Sequence, residues 1–151
     1  MVNRETLEII RIVFAILHDG LIQEFSGDKN CLRLKIKCQY LAERLSKNYE
    51  FFYVELRQIT KLELTLWTNP PDRKQVYLTE IEDIFATGLE ITSAKLITNY
   101  VEIDCDDMDG EFHGGFLSLA CENIRVFDHE SKEISVDELE SLCRNYWEHF
   151  Q

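Results

Sequence analysis

Apolar residues recur at every second position in five separate runs of this chain, and that period of two commits most of it to β-structure. Leu32, Leu34, Ile36 and Cys38 share one side of the first run, while Arg33, Lys35 and Lys37 share the other. Phe52, Val54 and Leu56 repeat the pattern, and so do Leu62, Leu64 and Leu66 after a short break. Val101, Ile103 and Cys105 form a fourth run, and Leu117, Leu119 and Cys121 a fifth. Successive strand side chains point to opposite faces, so each run predicts a strand with one face in the core.

Turn chemistry places further strands. Leu21 to Phe25 joins the first run through Gly27-Asp28-Lys29-Asn30, which reads as a β-hairpin. Strands are expected at about 89–97, 100–106 and 115–121. The apolar phase then moves from odd to even positions at Ile124 and Val126, so one extra residue near Glu122-Asn123 predicts a β-bulge or a new strand. Residues 42–50 are polar and fit either a loop or a helical turn. Thr68-Asn69-Pro70-Pro71-Asp72 is a break, because adjacent prolines exclude helix and central strand alike.

Helical spacing appears at both ends. Residues 4–17 predict a helix capped by Asn3, with Leu7, Ile10, Phe14 and Leu17 on one face. A short helix is expected after Thr79, which has capping-box spacing to Glu82, with Ile81, Ile84 and Phe85 at helical spacing before Gly88. At the C-terminus Ser135 and Glu138 form a second capping box, and Ile134 and Leu139 occupy the positions of a hydrophobic staple. Leu139, Leu142, Cys143, Tyr146, Trp147 and Phe150 then line one face, which is expected to dock on a sheet.

A chain of 151 residues with 45% hydrophobic content and 17 aromatics supports a single globular domain over 1–151. The apolar run Ile12–Leu17 is far short of the ~20 residues that cross a bilayer. Glu5 and Glu8 stand where a signal peptide is basic, so no membrane association and a cytoplasmic location are expected. Five scattered cysteines without a Cys-x-x-Cys pair read as reduced core thiols, with neither a disulfide framework nor a zinc site.

Charge is distributed unevenly. Residues 101–151 hold 14 acidic against 3 basic side chains, a net of −11 out of −12 for the whole chain. Such a field repels nucleic acid and attracts a basic protein partner. Part of the excess lies around the C-terminal helix, but Asp104, Asp106, Asp107, Asp109 and Glu111 crowd one expected hairpin. A calcium loop does not fit that segment: with Gly110 at position six, Cys105 and Phe116 fall where oxygen ligands are needed. Asp109-Gly110 reads instead as the hairpin turn. The alternative is a divalent-metal or small-molecule site, with or without enzymatic activity, near residues 104–113 and using Asp106 and His113.

His18-Asp19 evokes the His-Asp doublet of helical phosphohydrolases, but no His precedes it and strand follows, so local hydrogen bonds are expected. The Arg33, Lys35 and Lys37 stripe is expected to pair across strands with acids such as Glu55 or Glu63 rather than to bind nucleic acid. No nucleophile elbow, phosphate-cradling glycine loop or dinucleotide fingerprint occurs, and no cofactor is expected. Gly114-Gly115 reads as a tight strand entry.

His18-Asp19-Gly20, the hairpin Leu21–Phe25 and Leu32–Cys38, Phe52-x-Val54-x-Leu56 and Leu62-x-Leu64 together resemble the opening of small, poorly characterised bacterial β-rich domains. Some of these are classed as immunity-type proteins, which neutralise a toxin by binding it. The resemblance covers residues 18–66 and implies a β-rich sandwich or half-barrel with flanking helices, with no catalytic residues to carry over. The expected fold is α+β, mostly antiparallel sheet with an amphipathic helix near each terminus. The expected function is a non-enzymatic protein-binding module, immunity-like, in which Asp104, Asp106, Asp107, Asp109 and Glu111 meet a basic partner. Oligomeric state is left open.

Overall fold

The computed structural model describes residues 2–68, 75–107 and 112–149, the side chains of 68, 107, 112, 113 and 149 excepted. Helix α1, Arg4–Ile16, starts at Asn3, whose side-chain oxygen accepts the Thr6 N–H at 2.8 Å. One helical face, Leu7, Ile10, Val13 and Phe14, is buried. The chain then reverses at Asp19, where φ is 67° and the N–H donates to the Ile91 carbonyl at 2.7 Å.

Eight antiparallel strands follow: β1 Leu21–Gly27, β2 Cys31–Lys37, β3 Phe51–Thr68, β4 Gln75–Leu78, β5 Leu89–Leu96, β6 Val101–Asp107, β7 Phe112–Phe127 and β8 Glu133–Ile134. Their order is β4-β3-β2-β1-β5-β6-β7-β8, and β3 also pairs with β7. That last pairing closes β1, β2, β3, β7, β6 and β5 into a six-stranded barrel, where a sandwich or half-barrel was expected. Closure depends on the length of β3, whose 18 residues span roughly 60 Å at strand rise. One edge of β3 serves β2 at its start and β4 at its end, while β7 runs along the other edge.

Two expected strands, 52–56 and 62–66, are therefore one. The break between them is a kink: Gln58 has φ 52°, and the β3–β7 register shifts between Ile59 and Lys61. The kink is held from the β1–β2 turn, where the Asn30 and Lys29 carbonyls accept the N–H groups of Gln58 and Ile59 at 3.0 and 2.8 Å. The phase change between Cys121 and Ile124 lies inside a single continuous β7, opposite that kink, so the bulge belongs to the partner strand. The polar stretch after Cys38 opens with a short helix, α2, Gln39–Ala42. Helix α3, Ile81–Ile84, is capped at Glu80 without a side-chain bond, so the Thr79 capping box is not used. The break expected at 68–72 lies outside the described residues except for Thr68.

Helix α1 packs on one side of β5, β6 and β7. Ile91, Ile103 and Cys105 on that side are buried, whereas Thr92, Ser93 and Asp106 on the other side are exposed. Helix α4, Val136–His149, starts at Ser135, whose hydroxyl oxygen accepts the Glu138 N–H at 3.1 Å. Leu139 and Leu142 are buried, but α4 packs chiefly on α1 and α2 rather than on the sheet that its apolar face predicted. Trp147 is correspondingly 47% exposed and stacks on His18 at 5.8 Å. Phe150 lies outside the described residues. Among the described residues no helix is long and apolar enough to cross a membrane.

Candidate functional site

Strand β6 sorts its side chains by parity. Val101, Ile103 and Cys105 face the core, and Glu102, Asp104 and Asp106 face out. Register then assembles one face from five strands, on which Thr65 and Ser118 are themselves buried. Tyr77 of β4 lies opposite Thr65 of β3, Thr65 opposite Phe116 of β7, Phe116 opposite Asp104, and Asp104 opposite Ser93 of β5. Beside that row, Glu63 lies opposite Ser118, Ser118 opposite Glu102, and Glu102 opposite Lys95. On its other side Asp106 lies opposite Glu90.

Three aromatic rings interrupt the acids. Trp67 meets Phe116 at a tilt, with ring centroids 5.7 Å apart, and Tyr77 is 59% exposed. The close approach of β7 to β3 here requires glycine, because a Cβ on Gly115 would collide with the Thr65 carbonyl. Gly114 beside it has φ 101°, and because β7 already begins at Phe112 the pair lies inside the strand rather than at the entry expected of it.

Carboxylates dominate the face. Asp104 accepts the Ser93 hydroxyl at 3.0 Å, and the Thr92 hydroxyl donates to the Asp104 carbonyl at 3.1 Å. Lys95 pairs with Glu102 at 2.9 Å, and the hydrogen bond to that carboxylate raises the Lys95 ammonium above its ordinary value. Glu90 and Asp106 stand directly opposite each other with like charge, an arrangement that costs stability.

Of the residues singled out in the sequence, Asp104 is half-buried and Asp106 exposed on this face. Asp107 ends β6 opposite Leu89, and His113 lies in β7, but their side chains are outside the described set. Asp109 and Glu111 lie outside the described residues altogether. Among the described residues no group of three or more His, Cys, Asp or Glu side chains is arranged to hold a metal ion. Sequence reasoning missed Glu63, Trp67, Tyr77, Glu90 and Phe116. Parity put Glu63 and Trp67 on the outer side of their strand, but only long-range register brings them beside Asp104.

The basic stripe occupies the opposite wall, since β2 is separated from β6 by two strands in either direction around the barrel. Its charges are already engaged. The Arg33 guanidinium lies 4.6 Å from the Tyr53 ring and 4.7 Å from the Phe127 ring, and 3.7 Å from Glu55. Lys35 sits over Phe51 at 4.2 Å, and Lys37 pairs with Glu50 at 3.8 Å. Glu55 is thus the expected partner, whereas Glu63 belongs to the acidic wall. His18 makes the local contact expected of it, Nδ1 to the Ala15 carbonyl at 2.9 Å.

Comparison with protein-family models, with curated proteins and with solved structures finds no match to this chain.

Proposed function

We propose that this protein is a non-enzymatic binding module whose outer β4–β3–β7–β6–β5 face receives a basic protein partner. The observation that carries the reading is the continuous row Tyr77, Thr65, Phe116, Asp104 and Ser93, with aromatic side chains at one end and flanking carboxylates at the other. Aromatic anchors bounded by a charged rim are the usual composition of a protein interface. Carboxylates concentrated there steer a cationic surface toward the anchors. A neutralising, immunity-like role in the cytoplasm agrees with the resemblance over residues 18–66 and with buried thiols.

Charge reversal at Asp104, Asp106, Asp107 and Asp109, each to Lys, tests this. Affinity capture from host lysate at low salt should lose its partner in the variant, and wild-type capture should weaken as salt rises. Capture that is unchanged by the four reversals would falsify the proposal.

A further inference from the structure

We infer that the partner docks as an added strand on the free edge of β4, with its basic side chains over the acidic face; this rests on the binding role proposed above. Strand β4 ends the sheet order, and among the described residues no strand pairs with its second edge. A strand with one partner presents a row of unpaired N–H and C=O groups. Charged residues commonly protect such edges, but Gln75-Val76-Tyr77-Leu78 has none. Tyr77 lies in the row that contains Phe116 and Asp104, so an added strand continues that row by one more residue. Val76 and Leu78 lie opposite Leu66 and Leu64, so the other side of the added strand meets apolar groups.

Past the end of β4 the chain reaches a cleft of about 430 Å3, between the β1–β2 turn and the start of α3. Asp28, Glu80 and Glu82 line it with Lys29 the only cation among the lining residues, so the cleft suits the basic end of the same segment. A second copy of this chain is the competing occupant of a bare edge. Each copy carries a net charge of −12, and edge-to-edge pairing would bring two acidic faces together. Charge therefore selects a basic extended segment.

An alternating Lys-Val peptide of about eight residues is the probe, at ~3.3 Å per residue long enough to cover β4 and enter the cleft. Binding should shift the amides of Gln75–Leu78 in two-dimensional NMR, and hydrogen exchange should show new protection at the alternate ones that face away from β3. Successive strand residues turn their N–H groups to opposite edges, so two N-methylated versions of the peptide separate edge from face. Methylation in one alternating phase should weaken binding about tenfold or more, and in the other phase leave it unchanged. Equal binding of both versions, or no binding of the parent peptide, overturns the edge inference. Protection of the β4 amides that rises with protein concentration and needs no peptide also overturns it, in favour of a second copy. Failure of the binding role itself is read separately: Asp104→Lys with Asp106→Lys would then leave peptide affinity untouched.

Discussion

The Nδ1 atom of His129 accepts two backbone N–H groups, from Glu50 at 2.9 Å and from Phe51 at 3.2 Å. An atom receiving two donors carries the lone pair, so the proton of the neutral ring is on Nε2. The ring also stacks on Tyr49 at 5.2 Å, which ties the β7–β8 turn to the start of β3. Long-range nitrogen-15 NMR of the neutral ring should find Nδ1 unprotonated. His129→Phe keeps the stack but removes the acceptor, and should cost about 1–2 kcal/mol in urea unfolding.

Burial raises three thiols, Cys105 and Cys121 on barrel strands and Cys38 at the start of α2. Cys105 and Cys38 are pushed up to about 12 and Cys121 to about 11, from an ordinary value of 9.0. The unfolded chain loses these protons first, so it binds fewer protons than the folded chain above pH 9, and stability falls as pH rises. Melting temperature should therefore decline from pH 9 toward pH 12, and Cys105→Ala should flatten part of that decline. A native-state thiol titration should find Cys31 and Cys143 modified before the three buried thiols.

Phe14 and Trp147 follow equally good helical patterns but sit in different surroundings. Phe14 is fully buried under the barrel wall, whereas Trp147 rests on His18 with nearly half its surface in water. Phe14→Ala should cost about 3–5 kcal/mol. Trp147→Ala should cost about 1 kcal/mol, the worth of a half-exposed aromatic contact. Urea denaturation of the two variants checks the contrast.

The Glu90–Asp106 opposition couples stability to binding. Asp106→Asn removes a like-charge contact across β5 and β6, so it should raise the melting temperature at low salt and lose that gain at high salt. The same change should weaken partner capture. A variant with lower stability and unchanged capture would contradict both halves of the expectation.

Much of the fold is legible locally. Asn3 and Ser135 cap their helices where short-range chemistry places them, and Asp28 accepts the N–H groups of Asn30 and Cys31 in the expected hairpin turn. Less legible was β3, because a left-handed Gln58 is stabilised by carbonyls from a distant turn and not by its sequence neighbours. Helix α4 misled for a related reason. An apolar stripe records that a face is covered, and does not record whether a sheet or two helices cover it.

Period-two patterning and capping, read in the sequence alone, determined that this chain forms outward-facing acids and inward-facing aliphatics on antiparallel strands between two amphipathic helices. Those signals act between residues a few positions apart, where backbone geometry leaves few choices. Tertiary structure alone decided that β3 and β7 close the barrel and that Tyr77, Phe116 and Asp104 share one row. Their alignment depends on long-range register, which is selected when the whole core packs at once.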